Sequence, residues 1–150
     1  MKNIILITFL FFVCGCGYTS IYKNLGNQDF QIIITEIEGD RDMNSYIKNQ
    51  IDLYSNKNSI NKFNVKIITE YNKEELAKNT SGSVTDYKLS AKSIFTVYFN
   101  EKSKKVIFNE SINIKNQTNN FKQDSYEKNI KVNFASSLRE KMISEILSLK

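Results

Sequence analysis

The stretch VTDYKLSAKSIFTVYF, residues 84–99, decides the fold. Tyr87, Leu89, Ala91, Phe95, Val97 and Phe99 fall on one side of an extended chain, with Lys88, Ser90, Lys92, Thr96 and Tyr98 on the other. Side chains alternate across a strand with a period of two, so this segment reads as a long strand with one buried and one wet face. Downstream, Asn100 to Lys104 reads as a hairpin loop, and Val106, Phe108, Ile112 and Ile114 alternate with polar residues as the next strand. Glu110 falls on the apolar side of that strand, where a carboxylate is expected only near a strand end or at a bulge. Upstream, Lys73 to Ser83 is polar and closes in the turn Thr80-Ser81-Gly82-Ser83. Before it, Phe63, Val65, Ile67, Thr69 and Tyr71 alternate with Asn64, Lys66, Ile68 and Glu70 as another half-buried strand.

Further out the period changes. Phe30 to Ile37 is β-branched and apolar, a strand ended by Gly39-Asp40, and Asp40 or Asp42 is placed to cap a helix. Met43, Tyr46, Ile47, Ile51 and Tyr54 then recur at helical spacing, and Asn56 to Asn61 is a polar loop. After a second loop, Asn116 to Asn120, the pattern turns helical from Asp124 to the end. Tyr126, Ile130, Phe134, Leu138, Met142 and Ile146 form an i, i+4 stripe, widened by Ala135, Ile143, Leu147 and Leu149. The order is β-α-β-β-β-α. Neither helix can bury its apolar stripe alone, and a four-stranded sheet has a face to offer. The expected fold class is therefore α+β: a four-stranded mixed sheet with two helices packed on one face. The first β-α-β unit makes its two strands parallel, either as neighbours or with another strand between them.

The first fifteen residues read as an address. Lys2 is a positive start, and Ile4 to Val13 is apolar apart from Thr8. Ten helical residues span about 15 Å, half of a ~30 Å hydrocarbon core, which is too short for a stable span. Val13-Cys14-Gly15-Cys16 follows. It resembles the lipobox of bacterial lipoproteins, with an aliphatic residue at −3, small residues at −2 and −1, and the modified Cys at +1. Cleavage before Cys14 would put bulky Phe12 and Val13 in the small positions, so Cys16 is the expected lipidated residue. Several acyl chains, at about 0.8 kcal/mol per buried CH₂, hold a protein to a bilayer far better than one. The expected organisation is a signal peptide over 1–15, a lipidated tether over 16–28 and a single domain over 29–150. Gly17 rather than Asp follows the Cys, which favours the outer membrane, on its periplasmic side.

Composition narrows the chemistry. The chain of 150 residues carries a net charge of +5 and no His. Without His there is no imidazole for general acid–base work or metal ligation. Both cysteines lie at the signal's end, so the domain has no disulfide. There is no Walker loop, no G-x-G-x-x-G and no G-x-S-x-G. Glu74-Glu75 reads as a solvated loop, since neighbours on a strand or helix point apart. The chain is thus expected to be no enzyme, with no metal and no cofactor. An exported address also argues against a nucleic-acid partner. The run Lys102-Ser103-Lys104-Lys105 sits in the hairpin loop, and the Lys surplus favours anionic lipid or glycolipid.

Three stretches carry a family likeness. Cys16-Gly17-Tyr18 with Ile21-Tyr22 looks like the start of a mature member of the lipopolysaccharide-assembly lipoprotein family, LptE. Asn79 to Leu89 looks like that family's entry into its long third strand. Phe134-Ala135-Ser136-Ser137-Leu138, through Ile146 and Leu149, is similar to its C-terminal helix. The resemblance spans nearly all the mature chain, as a pattern. It implies a subunit of the outer-membrane lipopolysaccharide translocon that assembles and plugs the β-barrel LptD and assists delivery of lipopolysaccharide. Its expected partners are LptD, lipopolysaccharide and the membrane itself, through the N-terminal lipid. Lys88, Lys92, Lys104 and Lys105 are the candidate glycolipid contacts. The competing reading is an outer-membrane lipoprotein serving another lipid-transport or barrel-assembly complex, and a third is a lipid-anchored periplasmic enzyme. Replacing Cys16 by Ser is expected to abolish incorporation of labelled palmitate while leaving the domain's circular-dichroism melt unchanged.

Overall fold

The computed structural model describes residues 29–149; the signal, the tether and Cys16 lie outside them. The elements are β1 (Gln31–Gly39), α1 (Arg41–Asp52), β2 (Lys62–Lys78), β3 (Val84–Phe99), β4 (Lys102–Lys115) and α2 (Asn120–Leu149). The sheet runs β1-β2-β3-β4. β1 is parallel to β2 as its direct neighbour, and the remaining pairs are antiparallel. This is the expected α+β arrangement.

One face of the sheet is covered. Ile32, Phe63, Val65, Ile67, Leu89, Ala91, Phe95, Val97 and Ile114 are buried there against Met43, Ile47 and Ile51 of α1 and Ile130, Phe134, Leu138, Met142 and Ile146 of α2. At the sheet's lower end Phe63 stacks on Phe99 with centroids 4.2 Å apart, and Phe30 meets Phe63 edge-on at 6.1 Å. Between the helices lies buried Arg139. Its Nη1 donates to Gln50 Oε1 (3.1 Å), its Nη2 to Glu140 Oε1 (2.7 Å), and its guanidinium lies 3.9 Å from the Tyr54 ring centroid. A planar guanidinium can satisfy both demands at once, which an ammonium cannot.

The corner between β1 and α1 is tight. Asp40 caps α1, accepting from the Met43 N–H at 2.8 Å. Gly39 has φ +100°, and a Cβ there would lie 1.8 Å from the Thr69 carbonyl oxygen. Thr69 is buried beneath it, donating from Oγ1 to Asn44 Oδ1 at 2.7 Å. Only glycine permits this closeness of β1's end to β2.

Four expectations shift. β2 continues to Lys78, because β3 still pairs with it past Tyr71, at Lys73↔Leu89, Glu74↔Lys88 and Glu75↔Tyr87. The polar composition of that stretch reflects a hairpin wet on most sides, and Glu74-Glu75 is strand, not loop. Only Asn79 to Ser83 turns, organised by Asn79 Oδ1, which accepts from the N–H groups of Ser81 (3.1 Å) and Ser83 (2.9 Å). β4 starts at Lys102, so Lys102 to Lys105 are strand residues and the turn is only Asn100-Glu101. Asn100 takes φ 53°, which Asn tolerates better than other side chains. Glu110 lies mid-strand in unbroken register opposite Ala91, at neither an end nor a bulge; the register shifts are in β1, between Ile34 and Glu36, and in β2, between Glu75 and Lys78.

The fourth shift is in α2, which begins at Asn120, where Asn119 Oδ1 accepts from Lys122 N–H at 3.2 Å. Tyr126 is exposed rather than part of the buried stripe. In the first turns the inward positions belong to Gln123 and Glu127. Gln123 is buried and accepts from Gln117 N–H (2.8 Å), and Glu127 pairs with Lys73. Nearby, Lys131 Nζ lies 4.4 Å from the Tyr71 ring centroid and 2.8 Å from Asp42. Burial, with the Glu127 and Asp40 charges, pushes the Tyr71 phenol up to about 12.

Gly39→Ala is expected to cost about 2–5 kcal/mol, because strain at positive φ and steric overlap act together. Gly82→Ala, where φ is +82° but the surroundings are open, should cost only about 1–2 kcal/mol. Urea midpoints of the two variants check the ranking.

Candidate functional site

The uncovered face of the sheet holds the candidate site. Its rows follow from the register. Reading from β1 to β4, one row is Glu36, Lys66, Thr96 and Lys105, the next is Glu38, Ile68, Ile94 and Ile107, and then come Glu70, Lys92 and Asn109. Beyond these lie Asn72, Ser90 and Ser111, then Glu74, Lys88 and Asn113.

Three of the four candidate lysines share this face. Lys88 and Lys92 project from β3, and Lys105 of β4 sits level with Thr96. Four residues of strand separate each level from the next, about 13 Å per step. The cations thus form a line rather than a cluster. Lys92 Nζ is held by Glu70 at 3.1 Å, and Lys66 pairs with Glu36. That pairing holds the Glu36 carboxyl below its usual range and raises Lys66. Lys88 and Lys105 form no ion pair among the described residues. Lys104 lies on the other face, opposite Val97, where its Nζ meets Glu145 (2.5 Å) and Ser148 Oγ (3.3 Å) of α2.

Between β2, β3 and β4 this face dips into a depression of ≈ 380 Å³ whose rim includes Glu70, Asn72, Lys88, Ser90, Lys92 and Asn109. Amides, a hydroxyl and a Lys–Glu pair suit partners rich in hydroxyl or amide groups, and Lys88 adds a cation that forms no ion pair among the described residues. Next to it Ile68 and Ile107, 43% and 54% exposed, flank Ile94 in a short apolar row across three strands. Alternation within β2 places Ile68 on the wet side. The row itself becomes visible only once the register aligns all three strands.

Glu110 lies on the helix-covered face of edge strand β4, opposite buried Ala91. It reaches α2 and accepts from Ser137 Oγ (2.7 Å) and from Lys141. Burial pushes its carboxyl up, but those two hydrogen bonds and the Lys141 charge outweigh it and hold it below the ordinary range. Glu110 thus ties the edge strand to the helix layer. Among the described residues no three His, Cys, Asp or Glu side chains gather as metal ligands.

No protein-family model and no curated protein matches the chain. Solved structures do resemble it. Rare lipoprotein B from Shewanella oneidensis aligns with a TM-score of 0.58 at 13% identity, over 79% of this chain and 98% of that one. At that identity the likeness is one of fold, and it extends over nearly the whole of that protein. A minor lipoprotein from Acinetobacter baumannii aligns at TM-score 0.43 and 12% identity, over 73% of this chain and 93% of that one. Lipoprotein B from Nitrosomonas europaea aligns at TM-score 0.49 and 9% identity, over 79% and 84%.

A carboxyl with a lowered pKa adds stability that is complete above the ordinary Glu range and disappears as pH falls through the lowered value. Glu110→Gln should therefore cost about 1 kcal/mol at pH 7, after allowance for solvent screening, and nothing at a pH where both proteins are neutral there. Melts at neutral and strongly acidic pH compare the two.

Proposed function

We propose that this chain is a lipid-anchored, non-catalytic subunit of the outer-membrane lipopolysaccharide translocon, resembling LptE, which plugs the LptD β-barrel and assists delivery of lipopolysaccharide. The observation that carries the reading is the open sheet face. It is polar, its charges on β2 and β3 are largely compensated at Lys66 and Lys92, and it is framed by a helix layer that buries the whole apolar core. A porin-like lumen is polar and hydrogen-bonding. A plug meeting such a wall needs many neutral donors and acceptors and few bare charges, since an unpaired buried charge is costly. Asn64, Asn72, Ser90, Thr96, Asn109, Ser111 and Asn113 supply them. The lipobox Val13-Cys14-Gly15-Cys16 supplies the anchor, and the fold shared with rare lipoprotein B is one that carries such an anchor in a protein of that name.

Lys88, Lys92 and Lys105 are the proposed contacts for the phosphates of the glycolipid. They face one way and could be met in turn along the strand, as point charges. Lys104 lies on the helix-covered face of the sheet, where Glu145 engages it, and serves as the comparison.

The isoleucine row favours a second reading, a lipoprotein subunit of another envelope lipid-transport or barrel-assembly complex. A partner with an apolar strip would cover Ile68, Ile94 and Ile107 better than a polar wall does.

Affinity purification from native membranes in mild detergent, with partners identified by mass, separates the two. LptD in stoichiometric amount is expected; another envelope assembly in its place selects the second reading. Lys88→Gln/Lys92→Gln/Lys105→Gln should weaken binding of lipopolysaccharide severalfold and flatten its salt dependence, while Lys104→Gln should not. Unchanged binding by the triple variant removes these lysines from the site.

A further inference from the structure

The end of the domain where the chain enters the sheet carries two of its most exposed aliphatic side chains. The loop after α1, residues 53–61, is stitched to the start of β1. Asn56 N–H donates to the Phe30 carbonyl (3.0 Å), Ser55 Oγ accepts from Ile32 N–H (2.8 Å), and the Asn61 side-chain amide donates to the Asp29 carbonyl (2.9 Å). On this anchored loop Leu53 is 70% and Ile60 89% exposed. A single exposed leucine is ordinary. Two large aliphatics on a loop fastened beside the point where the upstream chain departs take their meaning from what that chain holds.

We infer that Leu53 and Ile60 form the bilayer-contacting end of the anchored protein when it is free of a barrel partner. They enter the headgroup region of the leaflet that holds Cys16, and the Asn79–Ser83 turn stands farthest from it. The inference rests on the acylation of Cys16 proposed above. Asp29 follows Cys16 by thirteen positions, a reach of at most ~45 Å. The anchor therefore keeps this end at high effective concentration beside the lipid. The opposite end also exposes a large apolar side chain, Phe121. It lies alongside the far end of a β2–β3 ladder that runs from Asn64 to Lys78, ~48 Å long at strand rise, and so is held away from the same surface. Charge near the loop is mixed, Lys57 and Lys62 against Asp29 and Asp52. The contact is accordingly apolar and should not depend on anionic lipid or on salt.

The chain has no tryptophan, so Ile60→Trp and Phe121→Trp each install a single emitter at an exposed site. Each variant, expressed with its leader and purified from membranes, is reconstituted into phosphatidylcholine vesicles. The expected result is a shift of the Ile60→Trp emission to shorter wavelength and severalfold weaker quenching by acrylamide, unchanged at high salt. The Phe121→Trp emission should stay as it is in detergent-free buffer for an exposed indole. Equal quenching of the two, protection of the Phe121→Trp emitter instead, or protection that salt abolishes would overturn the inference. The intact mass of the same preparation reports whether Cys16 is acylated. If it is not, coupling the Cys16 thiol to a maleimide phospholipid repeats the quenching measurement, so a failed anchor and a failed contact give different results.

Discussion

The ladder between β2 and β3 is the constraint from which the remaining architecture follows. It joins the two central strands of the sheet, and the period of two makes it unforgiving: a slip of one residue would send Leu89, Ala91, Phe95 and Val97 to water and bring Lys88 and Lys92 into the core. Once that register is set, one face must be covered and the other must stay wet. The helices have nowhere else to put Met43, Ile47, Ile51 and the Ile130 to Ile146 stripe. The polar face is what remains, and its composition of amides, hydroxyls and matched charges is a by-product of the same alternation.

The fold was legible because this periodicity is strong where burial is one-sided. Residues 84–99 and 130–146 announce their geometry directly. The signal fades where both faces are wet. Lys73 to Lys78 and Lys102 to Lys105 have strand neighbours but no buried face to pattern them, so their composition resembles a loop. Tyr126 misleads in the opposite way. Its spacing fits the stripe, but the helix has not yet reached the core there, and Gln123 and Glu127 take the inward positions through hydrogen bonds and an ion pair with β2. Glu110 shows that a charge on an apolar face need not end a strand when a facing helix offers Lys141 and Ser137.

The candidate site was legible only in part. That Lys88 and Lys92 share a side follows from spacing within one strand. Whether Lys104 or Lys105 joins them depends on where β4 begins and on its register with β3, which is long-range information. The pairing of Lys92 with Glu70 and of Lys104 with Glu145 likewise depends on tertiary placement. These partners matter more than the lysine count, since a compensated cation attracts a phosphate far less than a bare one. The isoleucine row is a case of the same kind: three unremarkable residues, each exposed in its own strand, become one continuous feature when the register sets them side by side.

Among the described residues β4 has a strand neighbour on one side only, so its outward backbone groups form an open hydrogen-bonding rail along this fourteen-residue strand. Such a rail invites a like strand from another molecule, and then another, toward fibre growth. Lys102, Lys104, Lys105 and Lys115 all lie on it. Stacking a second copy there would crowd cations against cations, so the strand is guarded against self-templating, while a partner strand bearing carboxylates would meet no such barrier.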